Sequence, residues 1–375
     1  MYSPRLEMAT RSALALELAD ETWLNIIQYL DDDDCRRQDL CSLQLTNSRF
    51  RGIAAECLVL SGNVPLRGLP GYIEQLVKVP KVANQVTRLR LVYKFTKNKT
   101  YGGCLDRSNM APMSKDTLDA CENAICRVVP PWNRSLVKKD LAEHPAYVSV
   151  CMCALLALVP NVTDLSLGYD ALRYSFFGAL FQKRICNPMS YPTWNQRMAT
   201  RLEDRLRVVV LVGDDWEVNG PRHTDTSFGR FAALTTLSLP MEAFLYSDCP
   251  CCSADMDIVE SVPPSLSNLR LFCGREIFPK DFLSVLSRNV ASPAFRVLQT
   301  IDLYFRCTYS SLMARQGLRA SVRRSIDLFE ASTVSIRTYF LHEAGYTDSV
   351  DPSYYRQGDV KLALEPIDAK EEGEE

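Results

Sequence analysis

Apolar positions follow two rhythms along this chain, a helical one near the start and a strand-like one through most of the rest. Trp23, Ile26, Ile27 and Leu30 recur at i, i+3, i+4 and i+7, which predicts one helical face. Asp20 can cap that helix and Glu21 sits favourably in its first turn. Asp39 is placed to cap a second short helix carrying Leu40 and Leu43, and a third opens near Ser48 with Phe50, Ile53, Ala54, Cys57 and Leu58 on one stripe. Three short helices in about forty residues bury little surface by themselves. Their leftover apolar faces are expected to meet another protein or the next domain.

The second rhythm is a recurring Leu-x-Leu core. It appears as Leu89-Arg-Leu91, Leu165-Ser-Leu167, Leu237-Ser-Leu239, Leu269-Arg-Leu271 and Ile301-Asp-Leu303, with Val334-Ser-Ile336 as a sixth copy. Positions 237, 269 and 301 are 32 residues apart, and 334 follows after 33. Helix-length segments separate several copies, such as Val148 to Val159 before Leu165 and Asp281 to Asn289 before Ile301. Fixed spacing of short strands with helices between them predicts stacked units aligned in parallel. The alternative is an α/β domain whose strands merely share this patterning. The first gap, 76 residues, holds a helical piece over Lys115 to Val129 and reads as either a degenerate repeat or an insertion. Arg207 to Val212 could supply another strand, although its period is ambiguous.

Taken together, Leu18 to Leu30, followed by Asp39-Leu40, Leu43, Leu45, Arg49 and Phe50, resemble an F-box, with the acidic Asp31 to Asp34 read as the exposed loop between the first two helices. The family's opening Leu-Pro is Leu18-Ala19 here, and its late aromatic is Phe50. Proline would stiffen the start of the first helix, so Ala19 is the main departure. The other reading of this block is a helical cap on the following domain. The repeats that follow resemble the leucine-rich-repeat architecture. They depart from it in a spacing above the usual 20–29 residues and in lacking the asparagine after the strand.

The expected fold class is therefore α/β: a three-helix F-box followed by an irregular leucine-rich-repeat-like solenoid with parallel strands. The expected domains are a disordered leader (1–15), the F-box (16–60), a Gly- and Pro-rich connector (61–85) with one helix near Tyr72 to Val77, the repeat domain (86–345) and an acidic, disordered tail (346–375).

The resemblance implies a non-catalytic subunit of a Skp–cullin–F-box ubiquitin ligase, docking a Skp-type adaptor and through it a cullin. Carried over by position, the adaptor-binding residues are Leu18, Ala19, Trp23, Ile26, Ile27, Leu30, Leu40, Leu43, Leu45 and Phe50. Substrate binding is assigned by strand periodicity. If the leucines point inward, the alternate residues share the opposite face. These are Arg88, Arg90, Asp164, Ser166, Thr236, Ser238, Asn268, Arg270, Thr300, Asp302, Ser335 and Arg337, with Phe272, Tyr304 and Tyr339 as aromatic anchors for a protein substrate. The alternative function is a repeat-based interaction scaffold acting outside any ubiquitin ligase.

Composition narrows the rest. The 375 residues are 47% apolar and 23% charged, with 43 basic against 45 acidic side chains and a net charge of −2. This balance gives no footprint for nucleic acid or an anionic membrane. The run Ala13 to Leu18 is too short for a secretory signal, and Val148 to Val159 is too short to span a bilayer and reads as a buried helix. A cytoplasmic or nuclear protein is expected, its fourteen cysteines serving mostly as small buried hydrophobes.

Catalytic and cofactor chemistry finds little support. The three histidines (His144, His223, His342) stand far apart, and phosphate-binding and nucleophile-elbow motifs are absent. Cys249-Pro-Cys251-Cys252 lacks a second pair for zinc. Asp31 to Asp34 lacks the alternation of a calcium loop. Asp214-Asp215-Trp216 has no acid–base partner that sequence can name. No enzyme activity, cofactor or metal is expected.

Overall fold

In the computed structural model the first five Leu-x-Leu copies each lie in a strand of one sheet, and the sixth leads into another. The structure describes residues 48–65, 68–92, 113–143, 148–168, 200–212, 227–240, 262–273, 295–308, 332–341 and 355–357, with positions 19, 22, 39, 40, 42, 43, 45, 46, 181, 286, 287, 327 and 329. Among these the chain is mixed α/β. The strands are β1 (Asn63–Pro65), β2 (Arg88–Val92), β3 (Asp164–Gly168), β4 (Val208–Val212), β5 (Thr236–Pro240), β6 (Asn268–Cys273), β7 (Thr300–Thr308), β8 (Ser335–Leu341) and β9 (Tyr355–Gln357). They lie side by side in chain order. The first eight are parallel, and β9 closes the row antiparallel to β8.

The pairing register explains the sequence pattern. Leu89, Leu165, Val209, Leu237, Leu269, Ile301 and Ile336 stand opposite one another across neighbouring strands. Leu91, Leu167, Leu211, Leu239, Leu271, Leu303 and Thr338 form the next inward row. Side chains alternate across a strand, so these rows face one side of the sheet and build its core. Each such leucine contributes about 2 kcal/mol by leaving water. A third inward row, Cys273, Phe305 and Phe340, extends the core where the strands lengthen, and the rings of Phe305 and Phe340 stack at 5.3 Å.

A common turn delivers the chain to β5, β6 and β7. The N–H groups of Leu234, Leu266 and Leu298 donate to the carbonyls of Phe231, Pro263 and Phe295. Those donors and acceptors both recur at the 32-residue spacing of the Leu-x-Leu cores. The carbonyl just before one strand then accepts two successive N–H groups from the next. Thr235 O takes Ser267 N and Asn268 N, and Ser267 O takes Gln299 N and Thr300 N. Hydroxyls of Thr235 and Ser267 donate to the same line of carbonyls. Backbone groups at this edge of the sheet thus satisfy one another from unit to unit.

The structure settles several open points. The 76-residue gap places no strand between β2 and β3, which pair directly. It contains α4 (Lys115–Cys126), a 3-10 turn (Pro131–Asn133), α5 (Arg134–Glu143) and α6 (Val148–Leu158), which follow α1 (Ser48–Leu60), α2 (Leu69–Lys78) and the short α3 (Pro80–Ala83). Described side chains of α6 from Val150 to Leu156 are all buried, as its unbroken apolar run predicts. Arg207 to Val212 does contain a strand, β4, which lies between β3 and β5. The last copy is a strand in a different register. Ile336, not Val334, stands opposite Ile301. The sheet also starts earlier than the Leu-x-Leu pattern suggests, since β1 lies in the stretch read as connector, and β9 lies in the stretch read as tail.

Gly62 makes the earlier start possible. It ends α1 with φ +62, the left-handed conformation that glycine adopts without strain. Its N–H donates to Val59 O, and its carbonyl accepts from Arg90 N on β2. A Cβ here would lie 1.9 Å from the Arg88 carbonyl oxygen, so only glycine fits.

Candidate functional site

Two regions could meet a partner: the helical block before β1 and the sheet face opposite the core. In the first, Phe50, Ile53, Ala54 and Cys57 lie on one stripe of α1 and pack with Leu40 into a small apolar cluster. This cluster is separate from the main core, with Leu43 and Leu58 packed against it. α1 also sends Val59 into the main core, and the Tyr72 hydroxyl of α2 donates to the Val59 carbonyl at 2.7 Å. Burial raises the Tyr72 pKa well above its ordinary value, which keeps that donor protonated.

Of the residues expected to dock an adaptor, Leu40 and Phe50 are internal to the small cluster and Leu43 is half-buried. Ala19 is exposed, and Leu45 is 84% exposed, a high value for a leucine. Leu18, Trp23, Ile26, Ile27 and Leu30 lie outside the described residues.

On the sheet face, strand register brings the expected substrate residues into rows. The first row runs Arg88, Asp164, Val208, Thr236, Asn268, Thr300 and Ser335. Arg88 Nε meets Asp164 Oδ2 at 3.0 Å in an exposed pair, and Thr300 Oγ1 donates to Asn268 Oδ1 at 2.6 Å. The second row runs Arg90, Ser166, Val210, Ser238, Arg270, Asp302 and Arg337. The third contains Pro240, Phe272, Tyr304 and Tyr339.

Chemistry concentrates where β6, β7 and β8 meet. Asp302 is almost fully buried, yet it lies on the polar face between two arginines. Arg337 grips its carboxylate with two hydrogen bonds, Nε to Oδ1 at 2.7 Å and Nη2 to Oδ2 at 2.9 Å. Such fork-to-carboxylate pairing is strong and geometrically specific. The carboxylate's hydrogen bond raises the Arg337 pKa above its ordinary value. Arg270 approaches from the other side with Nε 3.6 Å from Oδ2, an ionic contact too long for a hydrogen bond. That Nε is buried and, among the described residues, has no hydrogen-bond partner. Both arginine side chains are 40% exposed.

Two residues further along each strand, Phe272, Tyr304 and Tyr339 form a continuous stack. Ring centroids lie 4.8 Å apart for Phe272 and Tyr304 and 4.7 Å apart for Tyr304 and Tyr339. Each contact adds about 1 kcal/mol beyond area burial. Phe272 and Tyr304 are covered, so of the three expected anchors Tyr339 is the accessible one. Burial first and the Asp302 charge second push the Tyr304 phenol up to about 12, against the lowering pull of Arg270. Tyr339 is raised for the same two leading reasons.

Sequence periodicity put these residues on one face but did not single out this end. One signal was present. Arg270 and Asp302 occupy the residue between the two inward positions of consecutive copies. Reading those copies as columns would have set plus beside minus, whereas Arg337 joins the column only in the register of β8 that the structure shows.

Among the described residues no group of three His, Cys, Asp or Glu is placed to hold a metal ion, and no helix is long and apolar enough to cross a membrane. His144, His223, His342, Asp214, Asp215, Asp31 to Asp34 and Cys249 to Cys252 lie outside those residues. Comparison of the chain with protein-family models, curated proteins and solved structures found no match.

Proposed function

We propose that this chain is a substrate-recognition subunit of a Skp–cullin–F-box ubiquitin ligase. Its helical block docks a Skp-type adaptor, and its sheet, a leucine-rich-repeat-like solenoid, presents a polar face to a protein substrate. The chain carries out no chemistry in this reading. It holds a substrate at high effective concentration near catalytic subunits.

The observation that carries the reading is the small apolar cluster around Phe50, which has its own core and leaves Leu45 84% exposed. A helical cluster this small, separate from the main core, has little apolar surface to bury by itself and is the kind of unit that docks onto a partner. The F-box-like order of residues from Leu18 to Phe50 supports the same assignment. The sequential parallel sheet with a 32-residue unit spacing supports the repeat architecture, because each unit stacks on its neighbour in chain order.

The test is co-purification of the full chain with a Skp-type adaptor and a cullin. The wild type is expected to capture both. Leu45→Asp should cut adaptor capture at least about ten-fold while leaving the thermal unfolding midpoint unchanged, since the residue is exposed and a charge in a dry contact is costly. The pair Ile27→Asp and Leu30→Asp should abolish capture. Undiminished adaptor recovery from all these variants would sink the assignment, and capture of adaptor without any cullin would favour a scaffold acting outside a ligase.

A further inference from the structure

The geometry points to an oxyanion-binding site formed by Arg270 and Arg337 on either side of Asp302, shaped for a carboxylate- or phosphate-bearing side chain of a protein partner. This deepens the function proposed above and rests on it for the identity of the partner as a substrate.

The argument begins with an imbalance. Two guanidinium groups converge on one carboxylate, so the cluster keeps one net positive charge and more N–H donors than Asp302 has lone pairs. Arg337 spends its Nε–Nη2 edge on Asp302. Arg270 meets the same carboxylate through the 3.6 Å ionic contact, and its buried Nε has no hydrogen-bond partner among the described residues. A buried donor left unmade costs free energy, and the exposed remainder of the two side chains still holds N–H donors that an incoming acceptor can take. The two arginines stand on strands either side of β7, so their Cα atoms are separated by two strand spacings, roughly 10 Å. An oxyanion above Asp302 can reach both.

Three features suit this cluster to recognition rather than to fold support alone. Asp302 is buried and held by two hydrogen bonds, so it fixes Arg337 in one geometry before any ligand arrives. Both arginine side chains remain 40% exposed, which leaves a path for an incoming group. Tyr339, two residues beyond Arg337 and stacked on Tyr304, gives an accessible aromatic shelf beside the charged row. A charged side chain next to an apolar one on an extended partner segment would match that pairing of arginine and aromatic. Nucleic acid is disfavoured, because the chain's net charge is −2.

The full chain should be titrated with inorganic phosphate and, separately, with glutarate, with sodium chloride at equal ionic strength as the control. The readout is the side-chain Nε–H resonances of arginine, with the Arg270 signal assigned by its loss in Arg270→Gln. Saturable shifts of the Arg270 and Arg337 signals are expected with one of the two probes. Phosphate marks a phosphorylated partner and glutarate an acidic one. Arg270→Gln should weaken binding read at Arg337 at least about ten-fold. Arg270→Lys, which keeps the charge but loses the fork, should weaken it less and serves as the second variant should Arg270→Gln fail to fold. The absence of any saturable shift beyond the chloride control, or equal affinity in the two variants and the wild type, would overturn the site. Adaptor capture is read separately at the helical block, so its survival without anion binding would reject this site alone. Anion binding without adaptor capture would reject the ligase reading alone.

Discussion

The two ends of the sheet are held together differently. At the β1–β2 end the backbone sets the fit: a glycine in a left-handed conformation lies against the start of β2, and the ion pair of Arg88 with Asp164 is exposed. At the β6–β8 end side chains set it, through a buried carboxylate between two arginines and a three-ring stack. The lesson is that an Arg–Asp pair across parallel strands is not one interaction with one energy. Arg88 is 79% exposed and Asp164 27%, whereas the Asp302 side chain is 3% exposed. Water screens the first pair and is excluded from half of the second.

The sharpest break falls at the backbone-held end. Gly62→Ala should lower stability by about 4 kcal/mol. The left-handed φ costs a non-glycine residue about 1–2 kcal/mol, and a Cβ driven into the Arg88 carbonyl adds overpacking of about 1–3 kcal/mol. The clash is with backbone, so no rotamer change relieves it. Urea unfolding of the purified variant measures the loss. A change under about 1 kcal/mol would mean that β1 is not fastened to β2 in this way.

Arg337→Ala should be the largest effect at the other end, about 3 kcal/mol, because it leaves a buried carboxylate with only a long contact to Arg270. Asp302 is the more buried partner, so removing the arginine strands a charge that water cannot reach. The same urea series reads this loss, and wild-type stability in the variant would show that Asp302 is solvated.

How far these features are legible in the sequence depends on what fixes them. The Leu-x-Leu strands were legible because inward and outward positions alternate with period two and the units repeat at a constant interval. Leu237, Leu269 and Ile301 are therefore found without a structure. β1 was hidden because it is three residues long and ends in Pro65, a residue tolerated at a sheet edge but a poor strand signal. The register of β8 was hidden because Thr338 replaces the second leucine, so Val334-Ser-Ile336 offered a false match two residues early. The burial of Phe272 was beyond periodicity altogether. The pattern assigns a side chain to a face but does not say what lies over that face.

The smallest expected effect completes the contrast between the two ends. Asp164→Ala removes the carboxylate of the exposed pair, and the change in stability should lie within about 0.5 kcal/mol. Arg88 then points a guanidinium into water, where it is already well solvated, and Leu165 beside it keeps its place in the core. Whatever effect remains should shrink further as salt is raised toward 1 M, where screening acts over only about 3 Å. The corresponding Arg337→Ala loss should persist at high salt, because salt does not reach Asp302. Unfolding both variants in urea at low and high ionic strength separates the cases. A salt-sensitive loss at Arg337, or a salt-resistant one above about 1 kcal/mol at Asp164, would erase the distinction between the two ends.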